Sequence, residues 1–391
     1  MTLRVVVVSA CAAFVALLTV LLQPVASDEP AQTAWKYSPE FLRPFWEGET
    51  VVGESVLFIR DSGPDPATGE ARASVLFPIR KLVAVRNSAG DTTYEEGRDY
   101  RWTPNSREIV LPAGSRIVAR TPQQLRRSAG TQKYRLTHRD GNGEILFAAG
   151  LEYAAMQTCI TYEHEAGQWK LPVPKFDAEA LPQTVSRLRH KKPVSIVVLG
   201  DSISTGLNSS QTGKGAPWQP GYPELLRLHL TNRFQTEVKL TNFSISGIDT
   251  KRGMAQIENV VEANPDIVIV AFGMNDSSGR SANEYQANTK KIISGIRDSL
   301  PETEFILVAS MLGNRGWTAL RHELFSEYRD ALAELCEPGI ALADLTSVWT
   351  GFLELKKDWD QTGNGVNHPN DFGHRVYAQV ISTLLDPRDD P

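Results

Sequence analysis

Cysteine is scarce, at 3 in 391 residues. One of them, Cys11, falls inside an N-terminal apolar run, so at most one disulfide, Cys159 to Cys336, is open to the rest of the chain. Nothing in the sequence places those two within bonding distance, and two buried thiols fit equally well. Charge of one sign is lacking as well: 41 Lys and Arg face 46 Asp and Glu, a net of -5, with no long basic run. That balance argues against a nucleic-acid or anionic-membrane partner, both of which need an electrostatic footprint. Past the N-terminus, no apolar stretch reaches the length of a bilayer span.

What is present begins with an address. Arg4 precedes an apolar run from 5 to 22, and small residues Val25, Ala26 and Ser27 are followed by Asp28 and Glu29. This is the layout of a secretory signal peptide over residues 1–27, with an uncleaved anchor as the other reading. Either way the chain is expected to be secreted, periplasmic or on the cell surface. A lipoprotein-like box at Val8-Ser-Ala-Cys11 sits too early, with most of the apolar run behind it, and belongs to the leader.

A length of 391 residues leads one to expect two domains. Between 45 and 170, short apolar-alternating runs at 55–60, 74–78, 81–86, 108–111, 143–148 and 159–163 close on turn residues such as Asp61-Ser-Gly-Pro64 and Asp140-Gly-Asn-Gly143. They predict an all-β accessory module of sandwich or jelly-roll type. Residues 171–193, with Leu171-Pro-Val-Pro174 and the basic Arg187-Leu-Arg-His-Lys-Lys-Pro193, read as a linker from which the remainder should be separable. From 194 to 391 the pattern alternates. Strand-like runs at 194–199, 237–245, 266–272, 304–310 and 340–345 are interleaved with helix-like runs at 222–234, 251–263, 283–300 and 318–336. That alternation predicts a parallel sheet with helices on both faces, whose reactive groups collect beyond the C-terminal strand ends.

Those strand ends carry chemistry. The first ends in Gly200-Asp-Ser202, where a serine on a tight turn presents its hydroxyl as a nucleophile or caps a helix. After the second strand comes Gly247, able to offer a bare backbone N–H or serve as a turn glycine. The third is followed by Asn275, whose amide can face an oxyanion or form a turn. Asn367-His368-Pro369-Asn370 opens a helix expected to run to Leu385, with His368 at its entrance. A nucleophile, two oxyanion donors and a base in that order make the inventory of acyl transfer.

Other motifs carry less. Gly213-Lys-Gly215 lacks both the spacing and the Ser or Thr of a phosphate loop. His368 and His374 lie about 120° apart around a helix, which does not suit a shared metal. Asn208-Ser-Ser, Asn242-Phe-Ser and Asn275-Asp-Ser match the glycosylation pattern, but all lie where a glycan would block the site.

The blocks around Ser202, Gly247, Gly273-Met-Asn275-Asp276 and His368-Pro-Asn resemble those of the SGNH subfamily of GDSL hydrolases, over roughly the last 200 residues. The resemblance implies a flavodoxin-like three-layer α/β/α domain with no metal and no organic cofactor. It also implies Ser202 as nucleophile and His368 as base, with an oxyanion hole made by Ser202, Gly247 and Asn275. One feature departs from it: the family's Asp three residues before the histidine is here Gly365. Asn364, a displaced Asp360 or Asp358, or a backbone carbonyl in a Ser-His dyad are the alternatives for orienting the imidazole.

An exported β-module joined to such a domain resembles bacterial carbohydrate esterases, so the expected substrate is an acylated polysaccharide or small molecule, with acetyl the first acyl group expected. A lipase, thioesterase or arylesterase ranks next, and a catalytically weak carbohydrate-binding surface protein is the reading of another class.

Overall fold

Strands that bury both faces must be apolar throughout, and residues Ile267–Ala271 (Ile-Val-Ile-Val-Ala) are buried at every position. In the computed structural model, which describes residues 35–60 and 70–387, this segment is the centre of a five-stranded parallel sheet. Across the sheet the strands run Val238–Asn242, Val194–Gly200, Ile267–Ala271, Glu304–Ala309 and Ile340–Asp344, all in parallel register. Numbered along the chain, that order is 2-1-3-4-5. The connections therefore diverge from the first strand, and a crevice opens beyond the C-terminal ends of the first and third. The leader expected over residues 1–27, and the turn at 61–64, lie outside the described residues.

The helices between the strands are Tyr222–Phe234, the broken run Thr250–Gly253 and Ile257–Ala263, Ala282–Arg297 and Glu323–Ala333. Helix Leu345–Leu355 follows the last strand at once, its N-terminus capped by the Asp344 carboxylate accepting from Ser347 N–H at 2.8 Å. The final helix is Asp371–Thr383 and starts later than expected. Its cap is Asn370, whose Oδ1 accepts from Gly373 N–H at 3.0 Å, so Pro369 lies before the first turn rather than within it.

The N-terminal part is β-rich. An antiparallel sheet pairs Thr50–Val56 and Lys81–Asn87 to either side of Thr158–Glu163. A five-stranded sheet of mixed direction orders Arg101–Trp102, Glu108–Leu111, Ala71–Ser74, Phe58–Arg60 and Ala119–Arg120.

The boundary between the two parts is not an open linker. The described residues cluster as one compact unit. Helix Pro182–Arg189 lies inside the stretch expected as linker, with Thr184, Val185 and Leu188 buried. Its first-turn N–H groups at Gln183 and Thr184 each donate to the Glu304 carboxylate at 2.8 Å, so a charge of the sheet satisfies the helix start. One apolar core runs through both parts, and Phe45 packs on Trp169 and Phe352 with ring centroids 4.9 Å away.

The final helix shows what this union does. Phe372 to Thr383 are all buried, polar residues included. Arg375 donates to the carbonyls of Val52 (2.9 Å) and Gly53 (2.7 Å), and Gln379 donates to that of Phe41 (3.0 Å). A helix without an exposed face needs cover on every side, and here helix Tyr222–Phe234 and the N-terminal part share it. Lys356 and Glu54, both fully buried, form an ion pair at 2.5 Å that joins the parts again. Lys356 also reaches the carbonyls of Ser55 and Ser74, while Glu54 accepts from Leu76 N–H and Tyr162 O–H.

Cys159 and Cys336 are both free. Among the described residues, no helix is long and apolar enough to cross a membrane.

Candidate active site

The turn after the first parallel strand has room for nothing larger than glycine at position 200. A Cβ there would meet Ser204 Oγ at 2.2 Å and the Ala271 carbonyl at 2.7 Å. Asp201 then accepts from Ile203 N–H at 2.9 Å, and Ser202 O accepts from Thr205 Oγ1 at 2.8 Å, folding the chain back tightly around Ser202. Burial pushes the Asp201 carboxyl up to about 7. The Ser202 hydroxyl lies 2.8 Å from His368 Nε2, 166 residues away in sequence.

His368 comes from the loop before the final helix and is 9% exposed. Burial, with His374 nearby, lowers its pKa to about 4, so the ring is neutral over the range in which a base is needed. Its other nitrogen, Nδ1, lies 2.7 Å from Asn208 Oδ1 and 3.1 Å from Asn364 Nδ2.

Both carboxylates weighed as orienters are occupied elsewhere. Asp360 accepts from Leu57 N–H at 2.8 Å and Lys357 N–H at 3.0 Å. Asp358 pairs with Arg315 at 2.9 Å. Asn208 was missed as an orienter. It stood out in the sequence only as a glycosylation look-alike, although it lies six residues past the serine.

Gly247 follows the second strand with φ +80°, a left-handed conformation that a side chain resists. Asn275 follows the third, and one of its amide hydrogens goes to the Ile248 carbonyl at 2.8 Å. The second hydrogen is left for the cavity. Asp276 beside it anchors that turn by accepting from Thr250 Oγ1 at 2.5 Å and pairing with Arg280 at 2.8 Å. His374 packs behind, its ring between Tyr222 N–H and the Leu207 carbonyl. Among the described residues, no group of three His, Cys, Asp or Glu is placed to hold a metal ion.

Ser202, Gly247, Asn275 and His368 all face one cavity of about 520 Å³. The β-rich part lines it as well, through Tyr134, Leu136, Phe147, Ala149 and Gly150, and Val366 and Trp317 pack with Leu136 and Phe147 in that wall. Strand-end chemistry from one half thus opens onto a wall contributed by the other.

No protein of curated function matches the chain. Solved structures similar to parts of it include a two-domain esterase active on acetylated mannans, with TM-score 0.43 and 22% identity over 54% of this chain and 54% of that one. A lipase from a goat rumen metagenome gives TM-score 0.39 and 18% identity over 48% and 96%. A lipase/acylhydrolase from Enterococcus faecalis gives 0.38 and 20% over 48% and 93%. The match spans about half the length of the two-domain esterase, and likenesses of this order say nothing of substrate. The segment that holds all four candidate residues, 198–376, matches the GDSL-like lipase/acylhydrolase family.

Proposed function

We propose that the protein is an exported serine esterase that removes acyl groups, acetyl first among them, from carbohydrate hydroxyls. The observation that carries this reading is the 2.8 Å contact between Ser202 Oγ and a neutral, buried His368 Nε2 at the floor of the cavity. His368 takes the hydroxyl proton as Ser202 Oγ attacks the ester carbonyl carbon. The N–H groups of Ser202 and Gly247 and the free amide hydrogen of Asn275 receive the charge that develops on the carbonyl oxygen. The imidazolium then protonates the leaving alcohol; in the second half water gives a proton to the same nitrogen as its oxygen attacks the acyl carbon, and that proton passes to Ser202 Oγ as the acid leaves. These steps need no metal and no organic cofactor.

The cavity supports the substrate class. At about 520 Å³ it exceeds what an acetyl group fills and leaves space for the alcohol portion. Its wall alternates aromatic rings (Tyr134, Phe147, Trp317) with polar side chains (Thr212, Ser246, Asn367), a pairing suited to the apolar faces and polar edges of a sugar. Leu136, Leu207 and Val366 on the same wall favour a second reading, a lipase or thioesterase with a longer acyl chain.

Aryl esters of increasing chain length, followed by acetylated xylan, separate the two. Falling kcat/KM with chain length together with acetate release from the polymer supports the first reading. Preference for long chains and silence on the polymer supports the second. Ser202→Ala should lower kcat/KM by about 10⁴-fold or more in a folded protein. Undiminished turnover would return the chain to the carbohydrate-binding reading.

A further inference from the structure

We propose that Asn208 is the positioning residue of His368, a neutral amide standing where the family carries a carboxylate, and that the β-rich part takes part in the reaction by holding that amide. The inference rests on the Ser-His reading above and adds what aims the base.

The hydrogen-bond network fixes which atoms meet. Asn208 Nδ2 donates to the carbonyls of Gly150 (3.2 Å) and Gly363 (3.1 Å), so its Oδ1 is the atom facing the ring at 2.7 Å. Asn364 Oδ1 accepts from the N–H groups of Val366 (2.8 Å), Asn367 (3.0 Å) and His368 (3.3 Å), which turns its Nδ2 toward the ring at 3.1 Å. A single nitrogen cannot donate to Asn208 and accept from Asn364 at once. Nε2 must be bare to receive the serine proton, so the proton sits on Nδ1, and the shorter contact with Asn208 is the bond that is made. Asn364 spends an amide hydrogen on Asn367 Oδ1 at 3.1 Å and holds the loop by its oxygen.

The local structure explains the amide. Gly150 O and Gly363 O both call for a donor, and a carboxylate at 208 would turn its second oxygen toward them. Asn208 has φ +65°, a left-handed conformation that asparagine tolerates better than most residues. No ionisable group in the surrounding elements bonds to the His368 nitrogens in its place. Asp201 holds Ile203 N–H, Asp360 holds Leu57 and Lys357, Asp371 holds Ser210 N–H at 2.7 Å, and His374 lies between Tyr222 and Leu207. Gly150 belongs to the β-rich part, so the chain of contacts Gly150, Asn208, His368, Ser202 runs from one half of the molecule to the nucleophile in the other.

Asn208→Ala should lower kcat on an aryl acetate by about 10²-fold and move KM by less than about threefold, because the ring loses its aim while the cavity stays. Asn208→Asp keeps an oxygen toward Nδ1 but loses both donor bonds. It should regain at least about tenfold of that kcat and raise the acid limb of kcat/KM, since an anion beside imidazole favours imidazolium. Circular dichroism gives the folded fraction of each variant. In the unaltered protein, ¹⁵N NMR at neutral pH should show the His368 Nδ1 protonated and Nε2 bare, a readout that needs no variant to fold.

Four results would overturn the proposal: wild-type kcat in Asn208→Ala, Asn208→Asp no better than the alanine with an unmoved acid limb, a larger kcat loss in folded Asn364→Ala, or the opposite tautomer. Ser202→Ala measured alongside tells the two readings apart. If it is inert while the Asn208 variants turn over normally, only the positioning role fails; if it stays active, the Ser-His reading fails first.

Discussion

The parallel sheet and the β-rich part reach order by different means. In the sheet, strands of 5 to 7 residues pair without interruption and bury nearly every side chain of the central three. In the β-rich part several strands have only two residues, and register slips at Val51/Glu54 and Thr161/Tyr162. There the backbone is pinned by buried side chains instead: Glu54 holds Leu76 N–H, and Asp99 holds Glu95 N–H and Arg116. Redundant backbone bonding suits the region whose loops bring Ser202 Oγ and His368 Nε2 to 2.8 Å of each other. Pinned loops suit a region that covers a helix and walls a cavity, where tolerances are looser.

The sharpest way to break that division is to remove one side of it. A chain beginning at 194 keeps the whole parallel sheet but strips the final helix of part of its cover, leaving Arg375 and Gln379 without acceptors and apolar core open to water. Such a fragment should give no cooperative melt and no ester turnover. A folded, active fragment, as the linker reading of 171–193 implies, would restore the picture of a detachable accessory module.

Smaller, but still large, is the effect of cutting the buried Lys356–Glu54 ion pair between the halves. Lys356→Met leaves Glu54 charged and buried, and should cost about 3–5 kcal/mol in urea unfolding. Pairing it with Glu54→Gln should return part of that loss, because the uncompensated charge goes. A cost under about 1 kcal/mol for the single change would mean that water reaches Glu54 and that the halves are less tightly joined than their contacts indicate.

The same contrast decided what could be read from sequence. All five parallel strands were legible: Ile267–Ala271 falls one residue inside the expected range at each end and Glu304–Ala309 ends one residue early, and burial on both faces writes an unbroken apolar run into these central strands. Ser202, Gly247, Asn275 and His368, which line one cavity, were picked out because each lies in a loop after a strand or before a helix. Helix Pro182–Arg189 was not. Its Pro-Gln-Thr-Val-Ser-Arg-Leu-Arg is polar enough to read as linker, although Val185 and Leu188 lie three apart on one buried face. Asn208 was illegible for a different reason. Its role depends on Gly150, Gly363 and His368 meeting at one point, up to 160 residues apart, and no local pattern records a meeting of loops.

A gentler test uses pH. Burial lowers the His368 pKa to about 4, so the base stays neutral well into acid, and kcat/KM should hold until pH approaches that value. For stability the sign is the opposite of a salt-bridged histidine. Between about 4 and the ordinary 6.5 the unfolded chain binds the proton that the folded chain refuses, so this group's contribution falls as pH drops through that window. Buried Asp201 and Asp371, raised to about 7 and about 6, act the other way, favouring the folded state until pH rises through those values. An acid limb of kcat/KM near 6.5 would show that water enters the site and that the β-rich wall does not keep it dry.

The smallest expected effect falls at Tyr134, an exposed ring that the β-rich part gives to the cavity. Tyr134 is 47% exposed and meets Phe147 edge-on at 5.2 Å, with Lys133 Nζ 5.2 Å from its ring centroid. So exposed a side chain holds up little of the core, and Tyr134→Ala should leave the melting curve within about 0.5 kcal/mol of the parent. As a platform for a sugar face it is worth about 1 kcal/mol, the scale of an aromatic contact. The variant should therefore lose about fivefold in kcat/KM on an acetylated oligosaccharide. On a small alkyl acetate, which does not reach the rim, it should lose nothing. Equal losses on both substrates would place Tyr134 in the acyl pocket and favour the longer-chain reading. No loss on either would leave the β-rich part with cover and Gly150 as its contributions, and would move carbohydrate recognition to Trp317 and the polar side chains Thr212, Ser246 and Asn367 that line the cavity.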